Sequence, residues 1–213
     1  MRRENKQQGG GVLPPGYTQL EYIESTGTQY INTGIIPSSD IEVAMDVQLT
    51  SVSQGENKML FGCNNYYSGS TKYYMLTLNT TSDLPLQVNC GANGLDILDI
   101  PIASASIART NAQLSVNGTL FTATIFDSTI TRTFSGGLPT ISIYLFARSV
   151  ANAVNNCIMM KLYRCTVSAN GVSYDFIPAL RLSDNKPGLY DVVNDQFHVN
   201  QGTGEFLYKE KEL

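Results

Sequence analysis

Apolar and polar side chains alternate from residue 41 to residue 49. Ile41, Val43, Met45, Val47 and Leu49 fall on one face, and Glu42, Asp46 and Gln48 on the other. A period of two over that length predicts a half-buried antiparallel strand. Thr140–Phe146 repeats the theme, and Tyr73–Leu78 predicts a further strand. Asn117-Gly118 lies between Ala112–Val116 and Thr119–Phe126, and Asn170-Gly171 between Ile158–Ser168 and Val172–Ile177. Asn and Gly both tolerate positive φ, so each dipeptide predicts a tight hairpin. Val193–Gln196 is a third candidate turn, before Phe197–Val199. No window sustains a 3.6-residue apolar period. Val150–Val154 comes nearest and predicts one helical turn or a loop. Many short strands joined by turn signals predict an all-β, two-sheet antiparallel sandwich.

Composition agrees with a packed domain. Hydrophobic residues make up 42% and charged residues only 15%, the reverse of a disordered chain. The formal net charge is −4, and the chain has no polybasic patch, which argues against a partner bound through its phosphates. There is one His, no Trp, no Gly-x-Ser-x-Gly elbow and no glycine-rich phosphate loop, so neither nucleophilic catalysis nor nucleotide binding is expected. The longest apolar run, Ile143–Ala147, has five residues, whereas a membrane span needs about 20; no membrane insertion is expected. The basic start Met1-Arg2-Arg3 has no apolar stretch behind it, so the expectation is a chain kept in the cytosol or released by lysis.

Length suits a single domain over residues 17–213, preceded by an arm over residues 1–16. The arm carries Arg2, Arg3 and Lys6 against Glu4, then Gly9-Gly10-Gly11 and Pro14-Pro15-Gly16. Glycines make a flexible joint and prolines stiffen the approach. Without residues 1–11 the body has 11 basic and 17 acidic residues, a net −6. A basic arm on an acidic body predicts a tether, with Arg2, Arg3 and Lys6 as its anchor. Four cysteines, at 63, 90, 157 and 165, lack zinc-site spacing. Cys157 and Cys165, read as lying on one strand, would sit about 26 Å apart, too far to bridge; buried free thiols are expected.

Two segments carry a resemblance. The first runs Leu13-Pro-Pro-Gly-Tyr-Thr-Gln-Leu-Glu-Tyr-Ile-Glu-Ser-Thr-Gly-Thr-Gln-Tyr-Ile-Asn-Thr-Gly34. The second runs from Tyr174 through Phe176-Ile-Pro178 to Phe197 and closes with Asn200-Gln-Gly-Thr-Gly-Glu-Phe206. Together they resemble a laminin-G-like module of the concanavalin A-like lectin/glucanase superfamily, which recurs in surface proteins of gut bacteria and in virion proteins of their phages. The resemblance spans nearly all of residues 13–207. The basic pair that usually follows Phe-Ile-Pro is Leu180-Arg181 here. The resemblance implies a jelly-roll with first and last strands adjacent. Glu21–Ile23 and Gln29–Ile31 are read as short strands around a Ser25–Gly27 turn, and Gly202–Gly204 as a turn into the last strand.

Glucanases of this superfamily use paired carboxylates about 5–5.5 Å apart for retention. The nearest imitation, Glu42 and Asp46, would stand about 13 Å apart along a strand, so no enzyme is expected. Asp96 and Asp99 keep calcium open as the one cofactor alternative, although calcium takes six to eight oxygens. Asp191, Asn194 and Asp195 read as turn chemistry, and His198 as a strand residue. Cys63–Tyr74 holds four tyrosines, two Asn and Lys72 around Ser68-Gly69-Ser70. Tyrosine offers a stacking face with a polar tip, and Asn amides both donate and accept. Asn64, Asn65, Tyr66, Tyr67 and Lys72 are therefore the candidate ligand or partner surface, with Tyr66 and Tyr67 on an exposed loop between Phe61 and Lys72. The expected function is that of a non-enzymatic bacteriophage virion protein: a decoration, fibre or tail module, assembled in the host cytoplasm. Its partners would be other virion proteins or its own copies, with a host surface glycan in reach. The alternative is an adhesion module at a bacterial cell surface.

Overall fold

The computed structural model describes residues 13–51, 57–67, 69–79, 86–92, 95–98, 108–125 and 128–212. Arg2, Arg3, Lys6 and Asp99 lie outside the described residues, as do the side chains of Tyr67 and Asp96. Among the described residues the regular structure is entirely strand. In chain order the strands are β1 (Tyr17–Thr26), β2 (Ile31–Asn32), β3 (Glu42–Leu49), β4 (Asn57–Tyr67), β5 (Ser70–Asn79), β6 (Leu86–Ala92), β7 (Leu95–Leu98), β8 (Thr110–Asn117) and β9 (Leu120–Ile125). There follow β10 (Ser128–Thr133), β11 (Tyr144–Leu145), β12 (Arg148–Val150), β13 (Ala153–Asn155), β14 (Met159–Ala169), β15 (Val172–Arg181), β16 (Lys186–Asp191), β17 (Gln196–Val199) and β18 (Leu207–Glu210).

The strands form two sheets. The back sheet has the order β10-β9-β8-β3-β14-β1-β15-β16-β17, with β18 beside β1. The front sheet has the order β13-β12-β4-β5-β6-β7, with β11 between β2 and β4. All pairings are antiparallel except that of β12 with β4. The first and last strands meet as the resemblance implied, Ile23 opposite Tyr208. The fold is an all-β jelly-roll sandwich.

Period-two patterning accounts for the core. On β3, Val43, Met45, Val47 and Leu49 are buried, and they meet Leu76, Leu78, Val88 and Phe61 from the front sheet in one cluster. The Asn170-Gly171 hairpin forms with both residues at positive φ, 53° and 72°, as a type I′ turn requires. At the other dipeptide the hairpin forms but the turn is shifted by one. Asn117 is the last strand residue, paired with Leu120, and Gly118 opens the turn at φ 64°. Glycine in the first turn position is the type II′ solution.

Several expectations are corrected. Thr140–Phe146 is not one strand: only Tyr144 and Leu145 pair, and Phe146 turns out at φ 66°. The run crosses from the back sheet to the front and is buried throughout Ile143–Ala147, so its apolar character reflects burial on all sides and not a pleat. Val150–Val154 is neither a helical turn nor a loop but a hairpin, β12 to β13, with Ala151 and Asn152 at φ 49° and 69°. Cys157 precedes β14 instead of sharing it with Cys165, and it is half-buried while the other three free cysteines are buried. Tyr22 and Tyr30 do not flank one turn within a sheet. The strand β1 runs through Thr26, and the chain then crosses to β2 in the front sheet, held by the Gln29 Oε1, which accepts from the Thr26 amide at 2.8 Å.

Candidate functional site

The β4–β5 hairpin carries every candidate ligand residue. The pairing runs unbroken from Gly62 opposite Met75 to Tyr67 opposite Ser70. The expected loop between Phe61 and Lys72 is therefore strand almost to its tip, with Gly69 at φ 83° beside the turn. Tyrosines and threonines suit a pleated surface.

Because strand side chains alternate, register sorts the candidates onto two faces. Cys63 and Tyr74, opposite each other, belong to the inter-sheet core. Asn65 and Lys72, the next pair on that inward face, lie beyond the core and hold the chain that crosses from β10 to β11. Asn65 Nδ2 donates to Thr140 Oγ1 at 3.0 Å, and Lys72 Nζ donates to the Gly136 carbonyl. That crossing segment also sits on Gly91, where an added Cβ would come within 2.5 Å of the Phe134 ring. Asn65 and Lys72 thus secure the sandwich end and are not free to hold a ligand.

The outward face keeps the other candidates. Tyr66 is 72% exposed. One pair further in, Asn64 stands opposite a half-buried Tyr73. Asn64 is itself buried, yet its Oδ1 has no hydrogen-bond partner. Past it, Gly62 carries no side chain and has no room for one, since a Cβ would lie 2.1 Å from that of Met75. On the neighbouring β12, Ser149 aligns with Cys63 and Val150 with Asn64, so by alternation Arg148 falls with Val150 on the outward face, while the residue opposite Gly62 is Tyr144 of β11. Burial lowers its pKa, and the nearby Tyr73 opposes the shift. Tyr66, Asn64, Tyr73 and Arg148 therefore share one face of the front sheet.

Of these, sequence reasoning missed Arg148 and read Tyr73 only as part of a strand. Tyr74 alone of that pair is core, with its hydroxyl donating to the Leu114 carbonyl at 2.6 Å. Tyr67 ends β4, and its side chain lies outside the described residues.

Of the acidic residues weighed as catalytic or metal groups, Asp46 and Asp191 are engaged within the fold. Asp46 takes two hydrogen bonds from Arg109. Asp191 Oδ1 accepts from the amides of Asp175, Val193 and Asn194, the turn chemistry expected of that cluster. His198, on β17, sets its ring edge-to-face on Phe176 at 5.2 Å, and burial lowers its pKa.

No family model matches the chain, and no curated protein sequence matches it. Solved structures do. The chain is similar to the CBM40 module of the Ruminococcus gnavus IT-sialidase, with 14% identity, a TM-score of 0.51, and coverage of 74% of this chain and 91% of that one. The same module bound to α2,3 sialyllactose matches equally well, at TM-score 0.51. A native heptameric SAP-like pentraxin from Limulus polyphemus matches over 92% of this chain and 95% of its own, with 11% identity and a TM-score of 0.52. At these identities the likeness is one of fold: a lectin-like jelly-roll sandwich.

Proposed function

We propose that this chain is a non-enzymatic glycan-binding module that serves as a structural protein of a bacteriophage virion, displayed as a decoration, fibre or tail element and held there by its basic N-terminal residues. The observation that carries the glycan reading is the outward face of the front sheet, where an exposed Tyr66 ring stands beside the half-buried Tyr73 and the unpaired amide oxygen of Asn64. Aromatic faces cover the apolar side of a pyranose, and an amide oxygen accepts from its hydroxyls. A buried acceptor without a partner costs about 1–3 kcal/mol, which a sugar hydroxyl would recover. The lectin-like fold supports the same reading, because the structure bound to sialyllactose shares it. The non-enzymatic part is supported by the engagement of Asp46, Asp175, Asp184 and Glu21 in ion pairs with Arg109, Arg164, Arg181 and Lys209. The virion part rests on the resemblance of residues 13–34 and 174–206 to laminin-G-like modules of gut phages.

The test is a glycan array probed with the full chain, followed by the Tyr66→Ala and Tyr73→Ala variants, together with antibody labelling of source particles under the electron microscope. Binding to a defined set of saccharides that weakens several-fold in the variants, with label on particles, is the expected result. Hydrolysis of a bound saccharide would overturn the non-enzymatic reading. Label confined to bacterial envelopes would replace the virion by a cell-surface adhesin.

A further inference from the structure

Arg148 differs from the other arginines whose contacts define this fold. Arg109, Arg164 and Arg181 each grip a carboxylate with two hydrogen bonds, on Asp46, Asp175 and Asp184 respectively. Arg148 has no carboxylate partner and no ring beneath it among the described residues. Its Nε is buried without a hydrogen bond. The unpaired Oδ1 of Asn64 lies on the adjacent strand and the same face. No acidic residue occurs anywhere between Asp127 and Asp175, so the chain offers Arg148 nothing close in sequence to pair with.

Leaving a buried N–H without an acceptor costs about 1–3 kcal/mol. A fold that keeps one on Arg148, with an unpaired acceptor on the adjacent strand and tyrosines on the same face, has the features of a site whose last partner arrives from outside. The chemistry of that partner is specific. A guanidinium offers a planar fork of donors that matches a carboxylate in two parallel hydrogen bonds. An amide oxygen one strand away accepts from a neighbouring hydroxyl, and Tyr73 and Tyr66 extend the face along the hairpin. Carboxylate, hydroxyl and a ring-sized apolar face occur together in an acidic sugar.

We infer that Arg148 and Asn64 form a subsite for the carboxylate and an adjacent hydroxyl of an acidic saccharide. The inference rests on the glycan-binding reading above and narrows it to a class of ligand.

The experiment compares matched pairs on the full chain by array and calorimetry: trigalacturonate against its methyl ester, and 3′-sialyllactose against lactose. Arg148→Gln and Arg148→Lys are measured beside the wild type, each with its melting temperature. The expected result is that at least one acidic sugar binds tenfold or more tighter than its neutral counterpart, that the preference shrinks at high salt, and that Arg148→Gln abolishes it. Arg148→Lys keeps a charge but not the fork, and should retain only part of the preference. The melting temperature of Arg148→Gln should stay level or rise, because a buried donor without an acceptor has been removed. Equal binding of acidic and neutral partners, or a preference that survives in Arg148→Gln, overturns this inference and leaves the glycan reading standing on Tyr66→Ala. Absence of binding to any saccharide, acidic or neutral, overturns both. A melting temperature that drops steeply in both Arg148 variants assigns the residue to the scaffold and overturns the subsite.

Discussion

The hydroxyl of Tyr74 in the front sheet reaches across the core to the carbonyl of Leu114 in the back sheet, at 2.6 Å and fully buried. It is a polar tie between sheets that are joined here by apolar packing, and burial raises the phenol's pKa well above its ordinary value. Tyr74→Phe keeps the ring against Phe61 and removes only the tie. The expected cost is about 1–2 kcal/mol, a fall in melting temperature of roughly 2–4 °C per kcal/mol for a chain of this size. Thermal unfolding followed by circular dichroism measures it. A variant as stable as wild type would mean that the hydroxyl contributes nothing net.

Asn65 and Tyr66 are neighbours in sequence with opposite tasks. Asn65→Ala removes the hold on Thr140, and should lower stability by about 1 kcal/mol while glycan affinity is unchanged. Tyr66→Ala removes an exposed ring and should do the reverse, weakening binding several-fold at constant melting temperature, in keeping with about 0.5–1.5 kcal/mol for a stacked aromatic. Measuring both quantities on both variants checks the division of faces. A loss of affinity in Asn65→Ala equal to that in Tyr66→Ala would dissolve it.

His198 supplies a pH dependence. Its ring is packed on Phe176 and bonded to the Asn32 backbone; burial is the larger influence and depresses its pKa below the ordinary 6.5. A histidine with a folded pKa below its unfolded one binds its proton more readily when unfolded. Its contribution is therefore complete above the unfolded value and is lost as pH falls through the folded one, with a slope of at most about 1.4 kcal/mol per pH unit. Asp40, Glu21 and Asp184 are also shifted down, but they act around and below their ordinary values near 4, outside this window. Chemical denaturation between pH 5 and 8 should show stability declining below about pH 6.5, and His198→Gln should flatten that limb. An unchanged slope in the variant would assign the dependence to another group.

The two-sheet architecture was legible wherever one face of a strand is buried and the other is not. β3 has that property over its whole length, and the hairpins at Asn170-Gly171 and Gly118 announced themselves through residues that accept positive φ. The crossing through Ile143–Ala147 was not legible, because a segment buried on every side has no period to read. Half of the candidate site was found, since tyrosines and asparagines concentrated around Ser-Gly-Ser signal a surface. What composition does not carry is register. It takes the pairing of Cys63 with Tyr74 to show that Asn65 and Lys72 turn inward while Asn64 and Tyr66 turn outward. Arg148 lies over eighty residues away along the chain and joins them only through the parallel pairing of β12 with β4. Its one sequence signal is the acid-free stretch from Ser128 to Tyr174, which says that a cation there must look elsewhere for a partner.

The last prediction concerns attachment. Arg2, Arg3 and Lys6 precede Gly9-Gly10-Gly11, while Leu13 packs against the cluster of Ile177, Ala179 and Tyr190. The Gly16 carbonyl then accepts from the Leu182 amide at 2.9 Å. Deletion of residues 1–11 stops short of the contacts described for the N-terminal side of the sandwich, and the shortened domain should fold with an unchanged melting temperature. Under the virion reading it should no longer be incorporated into particles. Restoring the segment with Arg2, Arg3 and Lys6 all changed to Gln separates charge from mere length. If the anchor meets an acidic surface, the neutral arm fails as the deletion does, and wild-type attachment weakens between low and high salt, because exposed charges are screened beyond about 10 Å at 0.1 M. Incorporation is read by quantifying the chain in purified particles. Normal incorporation of the deleted form would move the anchor onto the domain, and the back sheet with its ion pairs would be the next surface to mutate.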